Sequence, residues 1–156
     1  MEASFMNYIV LGLLAVVFLI CTVTDLRERK IYNVVTFTAI ALIIVIRIFH
    51  HPQGIVMYLW GLIPAIIFYL IAVLTKGRGT GGGDILLILF LGLSTGILGA
   101  FMGILYASIL TLLFAAVRYV VSGKKERQLP MAPFLTLGVL LFYLQPLWLA
   151  PLINIS

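Results

Sequence analysis

The chain has 156 residues, of which 63% are apolar and 10% charged, and its formal net charge is +5. A soluble domain carries roughly a quarter charged residues, so this composition excludes an ordinary water-soluble globule. The apolar residues extend along the whole sequence, which predicts one membrane-embedded domain over residues 1–156 and no second, soluble domain.

Six apolar runs follow one another, and each predicts a helix because a backbone in lipid must satisfy its own hydrogen bonds. The predicted fold is therefore all-α and polytopic, with about six transmembrane helices of about 20 residues each. The runs cover residues 8–24, 34–49, 55–74, 85–98, 100–121 and 131–150. The first is interpreted as a span and not as a signal peptide, since its flank carries Glu2 and no Lys or Arg. A turn is predicted at residues 94–99, where Ser, Thr and Gly cluster.

The basic residues predict the orientation of these helices. Nine of the ten lie in or beside the first, third and fifth loops, and Arg47 alone lies near the opposite side. Because Lys and Arg concentrate in cytoplasmic loops, these loops are predicted to face the cytoplasm, with both chain termini outside. The positive charge is thus assigned to topology in the cytoplasmic membrane and to contact with the lipid bilayer, and no nucleic-acid partner is predicted.

Two aspartates stand out among the five acidic residues. Asp25 follows the first predicted span and Asp84 begins the fourth, so the topology places both at the same membrane face although 59 positions separate them. Taken singly, Asp84 is explained by a cap of its own helix and Asp25 by an ion pair with Arg27 or Arg29. Together they suit a carboxylate pair that shares one proton, in which one carboxyl activates water and the other protonates the oxygen of a peptide carbonyl.

Three consecutive glycines, Gly81, Gly82 and Gly83, precede Asp84. Glycine lets a backbone approach a ligand closely, so this segment is predicted to admit an extended substrate. The string from Gly77 to Gly82 also fits GxGxxG, but no strand precedes it and no lysine follows it, so no nucleotide site is predicted.

No cofactor or metal is predicted. Cys21 has no partner cysteine, and His50 and His51 have no further ligands at the spacing that a metal site requires. Two carboxyls need no metal to activate water.

Three patches of the sequence resemble type IV prepilin peptidases. Asp25-Leu26-Arg27 with Ile31-Tyr32-Asn33 resembles the family's D-x-R-x-x-x-I-P-N stretch, and residues 81–84 resemble its GxGD signature. Residues 130–134, Pro-Met-Ala-Pro-Phe, resemble the proline-rich entry to a late span.

The resemblance implies an integral-membrane aspartic endopeptidase that removes the basic leader of pilin-like precursors at the cytoplasmic membrane face, usually after a glycine. It implies that Asp25 and Asp84 are the catalytic pair and that the glycine segment, above all Gly81 and Gly83, presents Asp84. Arg27 and Asn33 match motif positions as well, and are expected to support the first loop.

The sequence departs from the family pattern at three points. Tyr32 stands where the family has proline, which removes a fixed backbone angle from the first loop. Leu86 stands where a lysine is common, so any role of that lysine is missing or is supplied by Lys76 or Arg78. The CxxC-bearing insertion is absent, so the chain looks like a short form without the N-methylating activity.

Three alternatives remain open. A proton-coupled transporter also uses intramembrane carboxylates, although both aspartates are predicted at one face and not at the midplane. A presenilin-like protease shares the GxGD motif but places tyrosine before its first aspartate, where this chain has Thr24. An assembly subunit of a secretion machine that has lost activity is the third.

Overall fold

The structure is a computed structural model that describes residues 2–77, 81–122 and 130–153, with side chains described for 5–77, 81–121 and 130–144. These parts of the chain are helical and contain no strand, as predicted. Arg78 and the predicted fifth-loop residues Lys124, Lys125 and Arg127 lie outside them. The helices are α1 (Glu2–Glu28), α2 (Asn33–Phe49), α3 (Ile55–Trp60), α4 (Leu62–Leu74), α5 (Gly82–Ser122) and α6 (Met131–Ile153).

Three stretches are long and apolar enough to cross a membrane: Phe5–Glu28, Ile55–Leu74 and Gly82–Val121. Two shorter apolar helices, Asn33–Phe49 and Met131–Leu144, accompany them. The outer surface of the bundle is apolar, and Leu74 and Val120 are each 82% exposed. Such a surface is suited to lipid and unsuited to water. Six spans, as predicted from the sequence, remain a prediction.

The predicted turn between the fourth and fifth runs is a break at one residue, Gly96, inside α5. Its φ of 75° and ψ of −175° are not helical, and the positive φ explains why glycine stands there. A methyl group added to Gly103 would lie 3.3 Å from Leu91 Cδ2, whereas twelve residues of straight helix span about 18 Å. The chain therefore folds back at Gly96 and forms two arms, 82–95 and 97–122.

Arg47 holds the end of the first arm. Its Nε donates to the Leu93 carbonyl at 3.2 Å, a second nitrogen donates to the Ser94 carbonyl, and its guanidinium lies 4.0 Å from the centre of the Tyr58 ring. Carbonyls at a helix end lack partners within the helix and carry partial negative charge. The buried cation thus satisfies two of them at the break.

Close backbone contacts fix the position of α5 among its neighbours. A side chain on Gly92 would overlap the Gly61 carbonyl, and one on Gly138 would overlap the Gly103 carbonyl. The backbone at the junction of α3 and α4 and that of α6 therefore touch the two arms of α5 directly, as small residues allow in membrane helices. Phe18, Phe90 and Leu135 fill the core between α1, α5 and α6.

The bundle has two distinct ends. His50 Nε2 lies 3.0 Å from Asn7 Oδ1, which joins the start of α1 to the end of α2 beside the Gly96 break. The opposite end gathers the end of α1 and the starts of α2, α5 and α6. Both predicted catalytic aspartates lie at this second end.

Candidate active site

A cavity of about 380 Å³ opens where α1, α2 and α5 meet at this second end. Both aspartates line it, together with the loop between α1 and α2 and part of the glycine segment. Its lining residues are Asp25, Arg29, Lys30, Ile31, Tyr32, Asn33, Val34, Gly81, Gly83 and Asp84. Residues 59 positions apart in sequence are therefore neighbours around one space.

Asp25 lies in the last turn and a half of α1 and is only 7% exposed. Its Oδ2 accepts a hydrogen bond of 3.0 Å from the backbone N–H of Ala132, in the first turn of α6. The first backbone N–H groups of a helix have no partner within it, so this donor is free to bind a carboxylate. The Asp25 carboxyl is thus oriented by the start of α6.

Asp84 occupies the third position of α5, and its Oδ2 accepts a hydrogen bond of 3.3 Å from the N–H of Gly81. This is one half of a capping box, so the side chain does stabilise the start of its own helix. Asp25 lines the same cavity as Asp84. Two carboxyls that share one space disfavour simultaneous ionisation, and such a pair can hold one proton.

The glycine segment separates two spaces. Gly81 and Gly83 line the cavity with the aspartates, whereas Gly82 lines a second groove between α4 and α5. At Gly83 the packing leaves no room for a side chain, because a methyl group would lie 2.7 Å from Ile31 Cβ. The close contact between this glycine and the first loop brings Asp84 to the cavity that Asp25 lines.

The first loop forms the outer wall of the cavity. Arg29 has a φ of 52° and lines the wall with Lys30, so two positive charges stand beside the aspartates. Tyr32 donates a hydrogen bond from its hydroxyl to Glu28, which raises the pKa of the Tyr32 phenol. Its φ of −74° lies in the range of proline, so the loop keeps the backbone angle that proline would impose.

The two residues predicted to support the first loop differ in position. Asn33 begins α2 and lines the cavity, whereas Arg27 is exposed and is not among the lining residues. Sequence reasoning missed Ile31, which packs on Gly83, and the donor at Ala132. Ala132 lies in the proline-rich stretch 130–134, which resembled the family. The sequence could not show that Ala132 is a donor, because every residue except proline has a backbone N–H.

Among the described residues, no three His, Cys, Asp or Glu side chains come together as a metal site would require. That the site works without metal or cofactor remains a prediction from the chemistry of two carboxyls.

A comparison with protein families matches residues 12–116 to the type IV leader peptidase family. The match covers well over half of the chain and includes Asp25, the glycine segment and Asp84. No curated protein and no solved structure matches the sequence. The resemblance inferred from three short patches is confirmed, and the chain belongs to the type IV leader peptidase family.

Proposed function

We propose that this protein is an integral-membrane aspartic endopeptidase that removes the leader from type IV pilin-like precursors. The observation that carries the proposal is the common cavity of Asp25 and Asp84, the only two aspartates of the chain. Membership of a leader peptidase family supports the reaction class, and the cavity supports the two residues as the reacting groups.

The proposed reaction needs one proton on the carboxyl pair. The ionised carboxyl takes a proton from a water molecule, whose oxygen attacks the carbonyl carbon of the scissile peptide. The protonated carboxyl gives its proton to the carbonyl oxygen, and a tetrahedral intermediate forms. As the intermediate collapses, the carboxyl that took the water proton gives it to the leaving nitrogen and the C–N bond breaks. The other carboxylate takes a proton from a hydroxyl of the intermediate, whose carbonyl re-forms, so the pair again holds one proton. Hydrogen bonds from Ala132 and Gly81 keep the two carboxyls in place.

The proposed membrane placement follows from charge. Arg29 and Lys30 at the cavity and Lys76 at the end of α4 lie at the same end of the bundle, which fits a cytoplasmic face. We propose a multi-pass protein of six spans with both termini outside, in which the two arms of α5 cross separately. A precursor with a soluble leader and an apolar helix then presents its junction at the height of the aspartates. This position also disfavours a transporter, whose carboxylates are expected near the midplane.

The test is cleavage of a pilin-like precursor by purified protein in detergent, with the products identified by mass spectrometry. Asp25→Asn and Asp84→Asn should each reduce the rate by about a hundredfold or more, because each carboxyl has its own proton-transfer role. Glu28→Gln is the matched control, since Glu28 is exposed and Gln keeps an acceptor for Tyr32.

The wild-type protein and Glu28→Gln should release the same leader at the same rate. Cleavage by either Asn variant at the wild-type rate would refute the assignment of the pair. A wild-type protein that leaves the precursor intact would refute the proposed activity.

A further inference from the structure

A groove of about 540 Å³ lies between α4 and the first arm of α5, beside the cavity that holds the aspartates. Its walls are mostly apolar, with Tyr69, Ala72 and Val73 on α4 and Ile85 and Leu86 on α5. Its volume is within the roughly 300–1,000 Å³ of ligand sites, enough for several side chains from one face of a helix. Leu86, which stands where the family commonly has lysine, contributes to this apolar character.

The groove begins where the catalytic cavity ends. Gly82 lines the groove, and its neighbours Gly81 and Gly83 line the cavity, so within the described part of the chain the glycine segment lies between the two spaces. A peptide that crosses this segment passes from a space lined by charged side chains, among them the two aspartates, to an apolar one. A leader-peptidase substrate has the same order of polarity around its cleaved bond, since a soluble leader precedes an apolar helix.

Among the described residues that line the groove, one is a cation. This residue, Lys76, has a φ of 53°, in a turn where Gly77 donates to the Ala72 carbonyl and Lys76 to that of Val73. These two bonds are those of a Schellman motif, which fixes the end of α4. The backbone at Lys76 is thus fixed at this end of the bundle, and its positive charge favours a carboxylate near the cytoplasmic end of a bound helix.

We propose that this groove seats the apolar helical segment that follows the cleaved bond of the precursor. The inference rests on the proposed function and adds the substrate subsite to it. An amphipathic or apolar helix binds such a groove through side chains on one face. The groove adjoins the cavity at the glycine segment. This position favours the precursor over a lipid chain, because the precursor must also reach the aspartates and a lipid chain need not.

The experiment measures the cleavage of two substrates by the wild-type protein and by Ala72→Phe, whose larger side chain fills the groove. One substrate is a full precursor, and the other is a peptide that ends a few residues after the cleaved bond and lacks the apolar segment. The ratio of kcat/KM for the precursor to kcat/KM for the peptide should fall about tenfold in Ala72→Phe, chiefly through KM, which is about 1.4 kcal/mol of binding. Ala41→Phe, on the exposed face of α2, should keep the wild-type ratio.

An unchanged ratio in Ala72→Phe would overturn the subsite while leaving the peptidase activity standing. A wild-type protein that cleaves neither substrate would instead refute the proposed function, and the subsite with it. Photo-crosslinking keeps the inference testable if Ala72→Phe does not fold. A benzoylphenylalanine at Val73 in the Asp84→Asn protein should form adducts with the apolar segment of the precursor, and adducts with detergent or lipid alone would contradict the proposal.

Discussion

The backbone N–H of Ala132 donates to Oδ2 of Asp25 at 3.0 Å and so joins the start of α6 to the end of α1. Ala132 is fully buried and Asp25 nearly so, and water competes little for this bond. A hydrogen bond to a carboxylate from a helix N-terminus both stabilises the charge and fixes the direction of its oxygens. The late part of the chain therefore takes part in orienting a carboxyl that lies near its beginning.

Removing this donor should impair cleavage without unfolding the protein. Ala132→Pro deletes the N–H in the first turn of α6, where the ring is tolerated, and should reduce kcat by about tenfold or more. Ala132→Val adds bulk but keeps the N–H, so it separates the lost bond from crowding in the core. The measurement is kcat on a precursor, with thermal unfolding in detergent as the check on folding. Equal kcat values for the two variants would show that the bond is not needed.

The two aspartates and the glycine segment beside Asp84 could be predicted from the sequence, whereas the donor at Ala132 and the packing of Ile31 on Gly83 could not. Two carboxyls beside apolar runs are costly and therefore conspicuous, and the basic loops indicate which helix ends share a face. The donor at Ala132 belongs to the backbone, and the contact of Gly83 with Ile31 depends on how two segments 52 positions apart approach each other. Neither of these two contacts changes the composition or the periodicity of the sequence, so neither can be predicted from them.

Gly83 should tolerate no side chain. The methyl of Gly83→Ala would lie 2.7 Å from Ile31 Cβ, so the first loop or the start of α5 must move, and we expect this movement to displace Asp84 relative to Asp25. We expect a destabilisation of about 1–3 kcal/mol, as for other overpacked sites, together with a loss of cleavage. Unfolding in detergent and precursor cleavage measure the two effects.

Gly12→Ala is the matched control for this substitution, because Gly12 lies in α1 with no atom within 4 Å of an added methyl. It should leave cleavage intact and raise stability slightly, since alanine favours a helix over glycine. A Gly83→Ala protein that behaves like Gly12→Ala would contradict the packing of the first loop on the glycine segment.

Tyr32 departs from the family pattern in residue type but not in backbone angle. Its φ of −74° suits proline, and Tyr32 is the N-cap of α2, so Tyr32→Pro should fold. Proline restricts the unfolded chain, so this variant should unfold about 1–3 °C above Tyr32→Phe, which loses the same hydrogen bond to Glu28 without gaining the ring constraint. Thermal unfolding of both variants is the measurement. A lower midpoint for Tyr32→Pro would mean that the loop does not have a proline-compatible path.

Arg47 is the basic residue that the charge pattern left unexplained, because it alone lies away from the other nine. In the structure Arg47 has a local role at the end of the first arm of α5. It is buried, and it satisfies the Leu93 and Ser94 carbonyls that the break at Gly96 leaves without partners within their helix. The rule that predicts membrane orientation uses the charges of loops. It therefore could not account for a cation that neutralises a helix end inside the bundle.

Replacing this cation should loosen the fold and spare the chemistry. Arg47→Met leaves two carbonyls without donors in an apolar environment, and each costs about 1–3 kcal/mol, so we expect a loss of about 3 kcal/mol of stability. Arg47→Lys keeps the charge without the planar array of donors, so its stability should lie between that of the wild-type protein and that of Arg47→Met. Arg27→Met is the control, since Arg27 is exposed and its loss should change stability by less than about 0.5 kcal/mol. Denaturant unfolding in detergent distinguishes these outcomes, and an Arg47→Met protein as stable as Arg27→Met would show that the break at Gly96 holds without the guanidinium.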